Sequence, residues 1–257
     1  MTHIEYRPIQ IDDIDPVVKA HLDELGDEFL VKFGESFLRI YYRVWIKSPY
    51  SFNIVAVSNG DDRANSDNMT RGVDFASSSI AGAMLSNLDP SNHYKYILKH
   101  HIFVLGAAAT AVAIKKPKFL VELIRTRGIY YVKGLAKAIL KLSKSRLKGT
   151  SKNRNDCSLK SDRVLSQDSP GTTSNDTAEL THIFVASDGR LSGIGKELIK
   201  MLSIKCIEIG ISKIELVTPT DSPAVNFYER LNFSNLGTIN AKTGETFVKF
   251  RLDLQLQ

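Results

Sequence analysis

The chain has 257 residues, of which 43% are hydrophobic and 24% charged, and its formal net charge is +6. This composition is typical of a globular protein with a sizeable core. Two cysteines, Cys157 and Cys206, exclude a disulfide framework, and no cysteine–histidine cluster has zinc-binding spacing, so no metal site is predicted. Residues 1–5 lack the pattern of a signal peptide, and we expect a cytoplasmic protein.

The charge is unevenly distributed along the chain. Residues 89–148 contain thirteen lysines and arginines against two acidic residues, a local net charge of +11, which leaves −5 for the remainder. A basic segment inside an acidic protein indicates a polyanionic surface as a partner.

Hydrophobic periodicity predicts alternating strands and helices on both sides of this basic segment. The predicted strands, in chain order, are residues 4–11, 51–57, 79–85, 183–185, 213–217 and 247–254. Four helices are predicted. The first follows Asp12-Asp13, the second covers residues 33–45, the third carries Leu198 and Leu202, and the fourth covers residues 222–231. The aromatic stripe of residues 33–45 is expected to pack in the core.

The basic segment contains two helical patterns. The apolar run of residues 102–114 is too short to span a bilayer. Residues 129–148 predict an amphipathic helix whose lysines lie within an arc of about 80°; they are Lys133, Lys137, Lys141, Lys144 and Lys148. Such a helix lies on a membrane or an acidic surface, or packs on the core with solvated lysines, and both interpretations stay open. Residues 149–177, rich in Ser, Thr, Asn and Asp, predict a disordered linker.

A strand, a turn and a helix follow one another over residues 181–198, and the turn carries Arg190-Leu191-Ser192-Gly193-Ile194-Gly195. Glycines at a helix N-terminus let a ligand approach the backbone, and the unpaired amides there suit a phosphate group. A dinucleotide-binding fingerprint needs glycine where Leu198 stands, and a P-loop needs Ser or Thr where Glu197 stands. The turn therefore matches neither of these two nucleotide-binding motifs.

The pattern Arg-x-x-Gly-x-Gly after a strand, with Asn226-Phe227-Tyr228-Glu229-Arg230-Leu231-Asn232-Phe233 downstream, resembles the GNAT superfamily of acyl-CoA-dependent N-acyltransferases. The resemblance covers residues 178–254 well and residues 1–88 loosely. Residues 89–177 stand where the family usually has only a hairpin turn. Asn232 replaces the usual glycine and Ser187 a common proline, and neither change removes a chemical group.

The resemblance implies an α/β fold: a GNAT-like mixed central sheet of about six or seven strands flanked by helices, with a helical basic insertion and a disordered linker. The expected domains are residues 1–88 and 178–257 as the two parts of an acyltransferase domain, 89–148 as the insertion and 149–177 as the linker.

The resemblance also implies that acetyl-CoA, the co-substrate, wedges between two splayed parallel strands, residues 181–185 and 214–217. Backbone groups of Val185 would hold the pantetheine arm and polarise the thioester carbonyl. The cofactor-binding residues so implied are Val185, Arg190, Leu191, Ser192, Gly193, Ile194, Gly195, Lys196 and Asn226.

Two catalytic residues are expected on the same basis. Tyr228 resembles the family's general acid, which returns a proton to the leaving thiolate. Glu179 stands eleven residues before Arg190, the spacing of the catalytic glutamate in histone-type members. Alternation along the strand predicts that Glu179, Ile183 and Val185 share one face, and that His182 faces the other way. The glutamate would act directly or through water, with proton loss to solvent as the alternative.

We expect the acceptor to be a primary amine, and our hypothesis is an amino sugar used in cell-surface glycan synthesis at an anionic membrane face. The alternatives are a protein or peptide amine, or a catalytically inactive CoA-binding or scaffolding module. Nucleic acid is not expected as a partner, because aromatic residues do not interleave with the basic ones. The sequence leaves the oligomeric state open.

Overall fold

A computed structural model describes most of the chain outside the basic insertion and linker; the ranges are residues 3–26, 28–59, 79–116, 176–187, 190, 192–241 and 244–255. Residues 1–112 and 172–257 form one compact unit and residues 113–171 a second. In the second unit only residues 113–116 are described. The predicted amphipathic helix of residues 129–148 and nearly all of the predicted linker lie outside the described residues, so the proposed domain boundaries stay predictions.

Seven strands form one sheet in the order β1-β2-β3-β4-β5-β7-β6. They are β1 (His3–Pro8), β2 (Ser51–Asn59), β3 (Ser79–Asn87), β4 (Thr177–Val185), β5 (Lys213–Pro219), β6 (Ser234–Asn240) and β7 (Thr246–Asp253). The β4–β5 pair is parallel and the other neighbouring pairs are antiparallel. The predicted mixed α/β sheet is confirmed.

Six α-helices surround the described part of the sheet. They are α1 (Ile14–Glu24), α2 (Glu35–Lys47), α3 (Pro90–His100), α4 (Ile102–Lys115), α5 (Ile194–Glu208) and α6 (Ala224–Arg230). A short 3-10 helix, Phe29–Phe33, precedes α2. Helix α6 ends as predicted, because Asn232 adopts a left-handed φ of 62° just beyond it.

One strand was missed by the sequence analysis. Every residue of β6 is exposed, so its sequence has no alternation of buried and exposed positions to mark it. It hydrogen-bonds only to β7, at the edge of the sheet. Strand prediction from alternating apolar and polar residues requires one buried face, so it does not detect an edge strand that has none.

The core has two parts, one on each face of the sheet. On one face, α5 and α6 pack against the sheet through side chains that include Leu198, Leu202 and Phe250. On the other, α1 and α2 contribute Val17, Leu38, Tyr42 and Trp45, among others. The predicted core packing of the aromatic stripe is confirmed for Phe33, Phe37 and Val44, which are 7%, 8% and 3% exposed. Each such large side chain stabilises the fold by about 1.5–3 kcal/mol through burial.

The apolar run of residues 102–114 falls within α4, which ends at Lys115. Among the helices described, none has both the length and the apolar character that crossing a bilayer would require.

Candidate active site

The parallel strands β4 and β5 separate partway along their length. Their described pairing is confined to three positions, from Thr177 opposite Lys213 to Glu179 opposite Glu215. Beyond these positions β4 continues along β3, and β5 continues along β7. A gap therefore opens between the two central strands, at the place where the resemblance implied that a thioester would enter.

The backbone of Val185 faces this gap. The N–H of Ala186 donates to the carbonyl of Ala81 on β3 at 2.9 Å. Because successive residues of a strand direct their backbone groups to opposite neighbours, the N–H and C=O of Val185 are directed to the β5 side. A strand-like ligand such as a pantetheine amide fits these free backbone groups.

Strand β3 approaches this part of β4 closely, and Gly82 makes the approach possible. A Cβ built on Gly82 would lie 2.8 Å from the carbonyl oxygen of Phe184 and 3.2 Å from Cγ2 of Ile194. Any side chain at this position would push β3 away from β4, so glycine sets the position of the strand that carries Val185.

The glycine loop after β4 leads into α5. Gly193 is the N-cap residue with a left-handed φ of 87°, a conformation that strains any residue with a Cβ. Gly195 is needed for space instead, because a Cβ there would meet the Phe227 ring at 3.1 Å and Val185 Cγ2 at 3.5 Å. The two glycines thus leave room for an anion at the N-terminus of a 15-residue helix, and anion binding there stays a prediction.

The other residues predicted to surround the diphosphate are placed as follows. Ser192 and Lys196 are exposed near the helix N-terminus, and Ile194 is buried beneath it. Leu191 lies outside the described residues. The described groups fit a diphosphate at this N-terminus, and their role in binding it stays a proposal.

Arg190 has a partner that the sequence analysis did not foresee. Its Nη2 donates to Glu24 Oε2 at 2.5 Å, at the end of α1. The other oxygen of Glu24 accepts the Ser187 N–H at 2.9 Å and the Ser187 hydroxyl at 2.8 Å. Burial alone would raise the pKa of Glu24, but these contacts with Ser187 and Arg190 lower it. The positive charge predicted to face a diphosphate is therefore shared with a carboxylate.

Helix α6 carries the two remaining residues predicted for the cofactor side. Asn226 is exposed and, with Glu229 and Arg230, lines a pocket of about 530 Å³. Tyr228 is only 5% exposed and packs against Phe233 and Phe250. Burial, and to a smaller extent the charge of Glu28, raise the pKa of Tyr228, so the phenol stays protonated and able to donate.

Strand β4 contains a β-bulge that changes the predicted face of Glu179. Asn87 lies opposite Glu179 and Ser86 opposite Leu180, but Leu85 lies opposite His182. Strand β4 thus has one extra residue, Thr181, between two pairs. The prediction that Glu179 shares a face with Ile183 and Val185 is wrong: simple alternation fails at the bulge, and Glu179 lies on the face of His182 and Phe184.

Glu179 is held on this face by two donors. The hydroxyl of Tyr94 donates to its Oε2 at 3.2 Å and Nδ2 of Asn87 donates to the same oxygen at 3.4 Å. Glu215, which the sequence analysis set aside, is engaged by Arg251 at 2.6 Å and Lys249 at 2.7 Å. Of the two glutamates, Glu179 is the one without a cationic partner among these contacts.

A cluster of histidine, glutamate and tyrosine side chains lies on the same face as Glu179. His182 Nε2 is 3.0 Å from the Tyr41 hydroxyl, and His182 Nδ1 is 3.0 Å from Glu28 Oε2. His21 Nδ1 is 2.8 Å from the Tyr42 hydroxyl. Burial alone would raise the pKa of Glu28, yet the neighbouring His182 and His21 lower it to about 2.

The sequence analysis missed this cluster, apart from placing His182 on the face of the strand opposite Ile183 and Val185. Its members come from α1, the segment before the 3-10 helix, α2 and β4, and no motif spacing connects them. The available signal was the presence of two polar residues, His21 and Tyr42, at positions of their helices where the hydrophobic pattern requires burial.

Comparison with known proteins identifies the domain that holds these features. The family model described as the acetyltransferase (GNAT) domain matches residues 170–254. Residues 170–254 therefore match the GNAT acetyltransferase domain that the sequence resemblance indicated. The predictions of an acetyl-CoA-dependent N-acetyltransferase and of acetyl-CoA as its co-substrate are thereby confirmed. No curated protein sequence matches the chain.

Solved structures of acetyltransferases share the fold of this chain. An N-acetyltransferase from Staphylococcus aureus Mu50 superposes with a TM-score of 0.51 at 13% identity, covering 98% of this chain and 99% of that chain. A candidate acetyltransferase from Acinetobacter baylyi ADP1 gives a TM-score of 0.51 at 11% identity, covering 99% of this chain and 93% of that chain. At such low identities the similarity shows the fold alone.

Proposed function

We propose that this GNAT protein transfers the acetyl group of acetyl-CoA to the primary amine of an amino sugar, by direct attack in a ternary complex. The observation that carries the proposal is the separation of β4 from β5 beyond Glu179, which exposes the backbone of Val185 between two chemically different walls. One wall holds the glycine loop and Tyr228. The other holds Glu179, Tyr94 and the histidine cluster.

In the proposed reaction the nitrogen of the neutral amine attacks the thioester carbonyl carbon. The C–N bond forms, the C–S bond breaks, and the electron pair of that bond leaves with sulfur as a thiolate. The N–H of Val185 stabilises the negative charge that develops on the carbonyl oxygen. Tyr228 gives its proton to the thiolate, and Glu179 receives the proton that the amine loses.

The remaining proposed contacts hold the cofactor. The amides from Arg190 to Lys196 bind the diphosphate, and Asn226 contacts the pantetheine from the wall of its pocket. Gly193 and Gly195 support this assignment, because one supplies the turn and the other the room that a close phosphate needs.

The acceptor wall supports a cationic, hydroxyl-rich substrate. Glu179 supplies a carboxylate that attracts an ammonium group before it loses its proton. Tyr94 is 41% exposed, which leaves its ring available to a sugar face and its hydroxyl beside Glu179. A peptide amine is the second acceptor class, and an inactive CoA-binding module is the non-catalytic alternative.

The test is release of free CoA thiol from acetyl-CoA across a panel of amines. The panel contains free, nucleotide-linked and lipid-linked amino sugars beside peptides with different N-termini and lysines. Turnover restricted to amino sugars supports the proposal, and turnover restricted to peptides selects the second class. Acetyl-CoA binding without turnover on any amine supports the inactive module.

We also propose that the basic segment holds the enzyme at an anionic membrane face. The support is the lysine pattern of residues 129–148 and the exposed apolar side chains on α3 and α4, with Phe103 88% and Leu98 59% exposed. Each lysine near such a surface contributes about 1 kcal/mol to binding.

Sedimentation with phosphatidylserine vesicles tests membrane binding. We expect binding at low salt that is lost at high salt, and lost at any salt when the five lysines of the arc are changed to glutamine. Neutral vesicles are the control. No binding to anionic vesicles at low salt contradicts the membrane proposal without affecting the acetyl-transfer proposal.

A further inference from the structure

Three side chains converge on one point of the α1–α2 face. His21 lies on α1, His182 on β4, and Glu28 between α1 and the 3-10 helix. One potential ligand atom of each residue lies within 4.8 Å of the other two. Glu28 Oε2 is 3.0 Å from His182 Nδ1 and 3.6 Å from His21 Nε2. The proposed acetyl transfer assigns no role to this convergence.

Both imidazole rings are oriented from behind by tyrosine hydroxyls. The Tyr42 hydroxyl lies 2.8 Å from His21 Nδ1, and the Tyr41 hydroxyl lies 3.0 Å from His182 Nε2. These contacts fix the rings so that their other nitrogens are directed toward Glu28. Such outer partners are the usual companions of histidines that ligate a metal.

The two nitrogens that face Glu28 are buried and make no hydrogen bond. His21 is fully buried and the His182 side chain is 8% exposed. The distance from His182 to Glu28 would permit a hydrogen bond, so it is the direction of the ring N–H that does not fit. Two buried nitrogens that face one carboxylate at ion-pair distance without a well-aligned hydrogen bond indicate a ligand between them, because leaving buried polar atoms poorly paired is costly.

A metal ion satisfies this geometry. Two ligands bound to one zinc ion at 2.0–2.1 Å in a tetrahedral site are about 3.4 Å apart, and the distances from Glu28 bracket this value. Two histidines and one glutamate form a ligand set that zinc sites use with water in the fourth position. The Glu28 side chain is 35% exposed, which lets water reach that position.

We propose that His21, Glu28 and His182 bind a divalent first-row metal ion, for which zinc is the best match. The site goes beyond the proposed acetyl transfer and does not depend on it. Metal binding needs neutral histidine and ionised glutamate.

The ion would join α1 to β4. His182 contacts Tyr41, whose surroundings include Glu179 and Tyr94, so the ion fixes one end of the acceptor wall. The sequence predicted no metal site, and the proposal departs from that prediction because the three ligands are separated by up to 161 positions and lack any zinc spacing.

The first test measures zinc bound to the full-length chain without an affinity tag. The protein is incubated with zinc chloride, dialysed, and analysed by inductively coupled plasma mass spectrometry. We expect one zinc per chain in the wild type and in His93→Gln, a matched variant that removes a buried histidine outside the cluster. We expect at least a tenfold loss in Glu28→Gln and His182→Gln.

Two further measurements distinguish a loss of zinc binding from misfolding of the variants. Circular dichroism checks that Glu28→Gln, which changes a half-exposed side chain, retains the wild-type fold. Cobalt(II) added to the wild type should give the intense visible absorption of a four- or five-coordinate site, and zinc should remove it. A folded wild type with no zinc, or with as much zinc in Glu28→Gln as in the wild type, overturns the proposal.

Discussion

The two faces of β4 differ in how their residues are distributed along the chain. On the face toward α5 and α6, the predicted site residues run from Val185 to Tyr228, which are 43 positions apart. The face toward α1 and α2 joins side chains that are far apart, such as Tyr41 and His182, which are 141 positions apart. The proposed cofactor side is therefore a local motif, and the proposed acceptor side is a product of tertiary structure.

Changing Tyr228 tests the cofactor side and has the largest expected effect. In Tyr228→Phe the packing against Phe233 and Phe250 is retained while the donor hydroxyl is lost. We expect kcat to fall by about 10²–10⁴-fold with little change in the KM for acetyl-CoA. Tyr50→Phe, which removes a hydroxyl elsewhere, is the control. Steady-state kinetics that differ less than twofold from wild type would exclude Tyr228 as the acid.

Changing Glu179 tests the acceptor side. We expect Glu179→Gln to lower kcat/KM by about 10²-fold, with the largest loss at low pH, where solvent takes the amine proton least readily. Glu208→Gln removes an exposed carboxylate at the end of α5 and serves as the control. A pH–rate profile with the wild-type shape and height would remove Glu179 from the mechanism, and proton loss to solvent would be favoured.

Two glycine-to-alanine substitutions test how closely β3 approaches β4. Gly82→Ala places a Cβ 2.8 Å from a backbone oxygen of β4, so we expect a loss of about 1–3 kcal/mol in the free energy of unfolding. Gly106→Ala in α4 meets nothing within 4 Å and should stabilise the protein by up to about 1 kcal/mol. Urea denaturation measures both. Equal effects of the two substitutions would contradict the close approach of β3 to β4.

The dependence of stability on pH tests the burial of histidine side chains near α1 and α2. Burial lowers the pKa of His93 to about 4, whereas an unfolded histidine has a pKa near 6.5. Between these values the unfolded chain binds more protons, so stability is complete above about pH 6.5 and falls toward pH 4, by at most about 1.4 kcal/mol per pH unit for this group.

The variant His93→Gln should therefore have a shallower dependence of melting temperature on pH over this interval. The variant can be less stable than the wild type at every pH, because His93 packs against Trp45 and contacts Ser48. The slope, and not the absolute melting temperature, is the readout. A slope equal to that of the wild type would show that another group causes the acid sensitivity.

The sequence predicted the fold and the cofactor side because their signals are local. Apolar periodicity marked six of the seven strands, and Gly193, Gly195 and Tyr228 lie in motifs with short spacing. Their binding and catalytic roles stay predictions. Edge strand β6 escaped because it has no buried face.

The acceptor side could not be predicted in the same way. Period-two alternation is correct only for a regular ladder, and the bulge at Thr181 breaks it. The position of α1 on the sheet determines two sets of contacts. One is the ion pair of Arg190 with Glu24, and the other is the cluster of His21, Glu28 and His182. Contacts between such distant positions produce no motif with a recognisable spacing in a single sequence.

The single extra residue in β4 also determines how the strand tolerates deletion. Removing Thr181 would leave a regular ladder in which Glu179 keeps the face of His182 and Phe184, because the remaining pairs already alternate. A chain that kept Thr181 but had one more residue opposite it in β3 would also have a regular ladder, and there Glu179 would point toward α5, while the glycine loop, Asn226 and Tyr228 kept their identities and order. Two chains with the same motifs would differ in which wall receives the carboxylate, so the relative lengths of β3 and β4 are as much a determinant of the site as the residues in them.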